Sequence, residues 1–452
     1  LSYRLRAELP EEVHSLTLLL IKELNMTSGM NRRQFLDGAA TAAAAGYVVT
    51  RGLALAQDAP SKKVVVGVMG QSRGRSLAQT FAQQAGVEVR YVADVDRTRA
   101  DSGAAALETL TGKAPQAVQD FRKILDDPEV DALVCAAPNH WHAPATILAC
   151  KAGKHCYVEK PCSHNANEGE LMVAAARKYK KAVQMGTQRR SSLSIQQAMQ
   201  KMHEGAIGRV YHATSWYGNV RGSIGKGVPA PVPEHLDYDM WQGPAPRMPY
   251  FDNRIHYNWH WFWHWGNGEL GNNGIHALDL CRWGLQVEYP VRVVSAGGRY
   301  RFEDDQQTPD THNVVFEFAE RKSITWDGLS CNRHSQDFVT FYGETGAMVV
   351  DGGGNCRFYN ELNKVSEEIK GNQGDVEHIA DFVAAIRNDT PLKLNQEILE
   401  GHKSTLLCHL GNIAHRTGRT LKCDAGNGHI VGDEDAMKLW GRDYETGWEP
   451  TV

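Results

Sequence analysis

The segment "GVMGQSRGR", Gly67 to Arg75, carries the residue types that hold a pyrophosphate. Gly70 ends a β-branched run, Gly74 opens a helical one, and Arg73 and Arg75 stand beside the free amides of a helix N-terminus. In the G-x-G-x-x-G fingerprint the second glycine lets the backbone approach the phosphates; here Ser72 stands nearest that place and the loop is one residue shorter. The next strand closes in "ADVD", so Asp94 or Asp96 falls roughly 20 residues beyond the glycines, where a carboxylate accepts both ribose hydroxyls. That favours NAD over NADP, since a 2′-phosphate would meet like charge at Asp94, while the nearby arginines leave use of both open. A second dense stretch, "HYNWHWFWHWGNGELGNNGIHALDLCRWGL", runs from His256 to Leu285. Indole faces pack on the apolar faces of sugar rings and imidazoles supply hydrogen bonds, so Trp259, His260 and His264, together with Arg189, are candidate substrate-binding residues by location.

Positioning these groups requires two kinds of sheet. Residues 61–188 alternate short β-branched runs ("KKVVVGVM", "VEVRYVADV", "VDALVCAAP", "HCYVEK") with helical stretches ("SLAQTFAQQAG", "RADSGAAALETLTG", "APATILACKAG", "GELMVAAARKYK"), which predicts a Rossmann domain with a doubly wound parallel sheet. Residues 189–452 open with the helix "SIQQAMQKMHEG" and the strand "GRVYHATSWYG", pass through a long Pro- and Gly-rich excursion, and form another helix from about Leu270. The strands "VRVVSAGGRY", "HNVVFEFAE", "KSITWDGLS", "DFVTFYG" and "AMVVDGG" follow on short turns. That pattern predicts an α+β domain with a large, mostly antiparallel open sheet and a C-terminal helical tail.

Within the first of these domains lies "VCAAPNHWHAPATILACKAGKHCYVEKPCSHN". Its Pro138, Asn139, His142, "AGKH" and Glu159-Lys160-Pro161 resemble the glucose-fructose oxidoreductase, inositol dehydrogenase and rhizopine-catabolism (Gfo/Idh/MocA) family, and the likeness runs from about Lys62 to the C-terminus. A strand delivers Lys160 at its carboxyl end, in the crevice where a nicotinamide lies, and an ammonium there can stabilise an alkoxide. The resemblance assigns Lys160 this role, implies a cis Lys160-Pro161 bond, and makes Pro138, Asn139, His142 and Glu159 cofactor-side residues. Family members place an aspartate four residues before a histidine on one helix; here the pair reads Asn272 and His276, so His276 is the candidate general base without its carboxylate. Asp279, one turn further on, either substitutes for that carboxylate or holds the helix to the sheet. Lys160 or one of His256, His260 and His264 is an alternative proton acceptor.

With 452 residues, 42% hydrophobic and 23% charged, and a net charge of −4, the chain has room for two buried cores but no basic field for nucleic acid. The nine cysteines show no C-x-x-C, so neither a metal site nor a disulfide framework is written. Arg32 and Arg33, Phe35 and Leu36, an alanine-rich run to Val49 and "ALA" at Ala54 to Ala56 read as a twin-arginine signal and linker over residues 30–60, cleaved near Ala56. Residues 1–29 read as an extension upstream of Met30, and no stretch reaches about 18 apolar residues, so stable membrane insertion is not expected.

The expected partners are a sugar or polyol, the twin-arginine export machinery and further copies of the chain in a dimer or tetramer. The expected location is the periplasm. Export in the folded state lets a nicotinamide cofactor travel inside, and outside no pool replaces it. The enzyme then moves hydride to and from a secondary sugar hydroxyl or carbonyl and regenerates the cofactor in place, or works as a redox-neutral glycosidase by transient oxidation and elimination. A non-catalytic sugar- or cofactor-binding protein is the third reading, motivated by Asn272 and Ser72.

Overall fold

The computed structural model describes residues 62–452; the expected signal, its expected cleavage point and the expected upstream extension fall outside the described residues. Strand β1 (Val64–Met69) is buried along its whole length. A strand covered on both faces reads as one continuous apolar run, which is why "VVVGVM" lacks alternation. With β2 (Val87–Ala93), β3 (Gln116–Val118), β4 (Ala132–Cys135), β5 (His155–Val158) and β6 (Val183–Met185) it forms a parallel sheet in the order β3-β2-β1-β4-β5-β6. The order reverses between β1 and β4, and ligands bind in the crevice at such a switch point.

The second sheet has nine strands: β7 (Val210–Gly218), β8 (Arg292–Gly298), β9 (Thr311–Phe318), β10 (Lys322–Leu329), β11 (Val339–Gly343), β12 (Gly346–Val350), β13 (Cys356–Asn360), β14 (Val365–Ile369) and β15 (Leu421–Lys422). Its order is β14-β13-β12-β11-β7-β10-β9-β8-β15, antiparallel except where β7 runs parallel to β10. In β9 and β10 burial alternates residue by residue, as it must when one face is packed. The packed face carries the helices Ile275–Leu285 and Ile398–Thr417.

Two segments cross back to the first sheet. The helix Asp375–Arg387 buries Ile379, Phe382, Val383 and Ile386 against Val64, Val66 and Phe81, so residues late in the chain complete the core of the first domain. The excursion after β7 hydrogen-bonds to the end of β2: Asp237 N donates to Val95 O (3.0 Å) and Arg97 N to His235 O (3.0 Å). It thereby lays Trp241, His256 and Trp259 over the crevice, with Leu236 bridged to Asp96. Among the described residues no helix is long and apolar enough to cross a membrane.

Candidate active site

The crevice at the switch point is lined by Gly70, Ser72, Asp94, Arg99, Ala136 and Pro138 from the first domain, and is roofed by Trp241, His256 and Trp259. Gly70 has φ +89°, and a Cβ there would stand 2.5 Å from Ala136 O, so only glycine makes this turn. At Gly74 a Cβ would press on Val68 and Ala136 at 3.1 and 3.3 Å, the close helix-to-strand packing that the last fingerprint glycine allows. Asp94 faces the crevice, while Asp96 caps the helix Arg97–Thr111 by accepting from Thr98 N and Arg99 N. The second carboxylate of "ADVD" is therefore structural, and it also accepts from His256 Nε2 at 3.0 Å. Glycine turn, ribose-side carboxylate and aromatic roof together fit a nicotinamide dinucleotide.

Other cofactor-side candidates support the crevice from behind. His142 is buried, with Nδ1 2.6 Å from Pro161 O and Nε2 2.7 Å from Ala137 O, so it ties the turn after β5 to the end of β4. Asn139, also buried, opens the helix Asn139–Lys151. Glu159 accepts from Arg73 Nε (3.2 Å) and from Lys160 N (3.1 Å), and Arg73 Nη2 also donates to Asp375 (2.6 Å). These carboxylates outweigh burial and raise the Arg73 pKa above its ordinary range. Arg73 thus links glycine turn, β5 and the returning helix.

At the other end stands Lys160, after β5 and before a cis Lys160–Pro161 bond. Its Nζ donates to Asn272 O (2.6 Å) and Asn272 Oδ1 (3.1 Å), leaving one of three N–H groups unused by protein. Burial lowers its pKa, Glu159 and Glu269 raise it, and Arg73 and Arg221 lower it. Asn272 lies in a π-helical turn, Leu270–Gly274, that leads into the helix bearing His276.

His276 makes no hydrogen bond to protein and its Nδ1 is buried without a partner. It lines a cavity with Arg189, Asn273, Trp216 and Tyr217. Burial, then the charges of Lys160 and Arg189, hold its pKa well below 6.5, so the ring is neutral and able to accept a proton. Asp279 is no partner for it: that carboxylate is buried against Arg190 Nε and Nη2 (both 2.9 Å), Ser404 (2.7 Å) and Gln396 (3.0 Å), so it holds the helix in place.

The four substrate candidates do not converge. Arg189 lies with His276, its guanidinium over Phe338 (4.4 Å) and its pKa lowered to about 10 by burial. Trp259 roofs the crevice, with His260 stacked on it at 3.6 Å between ring centres. Burial brings His260 to about 3. His264 faces a different cavity, with His164, Trp263 and Arg416, and its Nε2 sits 2.8 Å from Pro246 O. The short 3₁₀ turn Asn258–Trp261 aims successive rings in different directions, and Trp261 and Trp265 are spent in the core.

Sequence reasoning missed Glu269, Arg221 and Arg99. Glu269 is buried, accepts from Arg221 Nε (2.5 Å) and Nη2 (3.1 Å), and also from Asn272 Nδ2 (3.5 Å) and Asn273 Nδ2. A carboxylate thus stands three residues before Asn272, in "GELGNN", but it is held by Arg221 and the two asparagines and is not paired with His276. Arg221 sits in the Gly-rich excursion, and no local pattern marks it.

Residues 61–187 match the Gfo/Idh/MocA oxidoreductase-family model for an NAD-binding Rossmann fold, and residues 202–449 match that family's C-terminal alpha/beta domain. The levoglucosan dehydrogenase of Pseudarthrobacter phenanthrenivorans is 34% identical over 189 residues, 40% of this chain and 42% of that protein. A glycosyl hydrolase family 109 protein of Shewanella putrefaciens is 26% identical over 165 residues, 35% of this chain and 36% of that one. These matches span less than half of either relative. The crystal structure of the aldose-aldose oxidoreductase from Caulobacter crescentus superposes with a TM-score of 0.60 at 20% identity, covering 80% of this chain and 100% of that one, which shows the shared fold.

Proposed function

The chain belongs to the Gfo/Idh/MocA oxidoreductase family and carries its NAD-binding Rossmann domain, and from that premise we propose that it oxidises or reduces a secondary hydroxyl or carbonyl carbon of a sugar or polyol, keeping its nucleotide through turnover. One observation carries the reading: Lys160 Nζ, at the end of β5, donates to Asn272 and keeps a single unused N–H, and the neutral, unpartnered His276, one helical turn beyond Asn272, lines a polar cavity and feels the Lys160 charge. The nicotinamide supplies the hydride acceptor or donor. Lys160 donates to the substrate oxygen and stabilises negative charge as the hydroxyl proton leaves. The imidazole of His276 takes that proton, with no carboxylate behind it to favour the imidazolium. Arg189 and Asn273 orient the substrate, and the excursion across the end of β2 keeps water and exchange away from the crevice.

The similarity to a glycosyl hydrolase family 109 protein supports a second reading, in which the same two groups serve a redox-neutral cleavage of a glycoside. We further propose that the chain is exported by the twin-arginine route and assembles with copies of itself. The motif at Arg32 and Arg33 supports the export, and replacing both arginines by lysine should retain the protein in the cytoplasmic fraction.

Purified protein mixed with pairs of sugars, and separately with aryl glycosides, distinguishes the readings. Net oxidation of one sugar with reduction of another supports the oxidoreductase. Release of aglycone without net redox supports the hydrolase. Neither sugar interconversion nor aglycone release with any sugar or glycoside tried defeats both.

A further inference from the structure

We propose that the cavity faced by His264 is a second binding site, for a small polyhydroxylated anion: its hydroxyl groups meet neutral acceptors of the wall and its carboxylate or phosphate meets Arg416. None of the residues lining this cavity lines the crevice or the cavity of His276, so the site is separate from both. The inference does not depend on the dinucleotide reading.

The wall asks for hydrogen-bond donors. His164 Nε2 lies 3.0 Å from Trp263 O and His264 Nε2 lies 2.8 Å from Pro246 O. A carbonyl only accepts, so each Nε2 carries the ring proton and each Nδ1 is left as an acceptor. Burial above all lowers the pKa of both rings, which keeps them neutral. Asn267 is buried, and its Nδ2 donates to His164 O at 2.8 Å. Within this wall His164 Nδ1 and Asn267 Oδ1 are buried without a hydrogen-bond partner, and such atoms are rare unless something satisfies them. Hydroxyl groups are donors of the right kind. Beside the acceptors stands the half-buried indole of Trp263, a flat apolar surface suited to a sugar ring.

One end of the cavity asks for negative charge. Three cations line it, of which Arg442 is held by Glu168 (2.9 Å) and Lys438 by Asp435 (2.8 Å). Arg416 is the third: its guanidinium lies over the Trp263 ring (5.2 Å), and no carboxylate among the described residues pairs with it. A planar guanidinium with its N–H groups unspent suits bidentate contact with a carboxylate or a phosphate. Asp443, exposed at the rim, is the single lining carboxylate. The cavity measures about 610 Å³, within the range of small-molecule sites, roughly 300–1,000 Å³.

Isothermal titration of the full-length protein tests the site. The probes are D-glucuronate and D-gluconate, glucose 6-phosphate, and the separate halves glucose, acetate and inorganic phosphate. A sugar acid or the sugar phosphate should bind saturably, and each half at least about tenfold more weakly, because charge and hydroxyls are recognised together. Binding by the acids alone identifies a carboxylate ligand, and binding by the sugar phosphate alone a phosphate ligand. Arg416→Gln, at an exposed position that tolerates the change, should weaken binding about tenfold or more, the loss of a charged hydrogen-bonding group. Lys160→Ala should leave it within about twofold, as a residue outside the cavity should. Binding lost in Lys160→Ala, or unchanged in Arg416→Gln, overturns the assignment, as does glucose binding as tightly as its acids or no binding by any probe. The oxidoreductase reading stands in each of these cases, since none of them measures turnover.

Discussion

At the ribose end of the crevice the charged side chains are engaged before any ligand arrives: Asp94 accepts three hydrogen bonds, Asp96 caps a helix and meets His256, and Arg99 bridges Asp94 and Ser72. At the Lys160 end the opposite holds. His276 has no hydrogen-bonding partner, Arg189 Nη1 is buried without an acceptor, and Lys160 keeps one N–H unused. A binding end gains from rigidity, because preorganised groups lower the entropy lost on association. A reacting end needs groups whose free valences meet charge only as it develops. The contrast supports placing the proposed chemistry at the Lys160 end.

Substitutions can break that contrast. Lys160→Ala should cause the largest loss, lowering kcat by about 10²- to 10³-fold, the cost of one donor to a developing oxyanion, while retained nucleotide is unchanged by mass. Full activity in this variant would remove Lys160 from the reacting end. His276→Ala should lower kcat by about 10²-fold, as loss of a general base does. In the wild type the acid limb that reports His276 should lie below pH 6.5, because burial and the cations Lys160 and Arg189 depress its pKa; activity falls only as pH drops through that value and protonates the base.

Three further changes sharpen the picture. Glu269→Gln leaves Arg221 beside a neutral amide, and thermal unfolding should report a loss of about 2 kcal/mol. Asn272→Asp places a carboxylate against Lys160. The ammonium, now disfavoured by burial, would be stabilised and lost only at higher pH, so the alkaline limb of the rate profile should move up by about one unit. An unmoved limb would mean that the Lys160 ammonium does not govern it. The smallest effect belongs to His264→Ala: it faces another cavity, so KM should stay within about twofold of wild type, and a larger rise would bring that cavity into the site.

Legibility in the sequence differed between the two ends for the same reason. The ribose end comes from one βαβ unit, where glycine spacing and the acidic residue after β2 are local, and the fingerprint survived with Ser72 in place of a glycine. Choosing Asp94 over Asp96 still required the structure, since helix capping claims one carboxylate and not the other. At the reacting end the aromatic and histidine run suggested one wall, yet its rings divide among crevice, core and a separate cavity. Composition marks such residues as able to bind, while backbone turns of a few residues decide where each side chain goes.

The sequence by itself determined what periodicity and short-range spacing can encode: a parallel sheet from buried β-branched runs, an antiparallel one from alternating strands, a phosphate turn from glycines, and a lysine at the end of β5. Tertiary structure alone decided that Arg221 meets Glu269, that Asp279 pairs with Arg190 to hold a helix, and that the late helix Asp375–Arg387 completes the first core. Those pairings join residues tens to hundreds of positions apart. Their geometry is set by how whole layers pack, and the residues themselves carry no local mark of the partner they will meet.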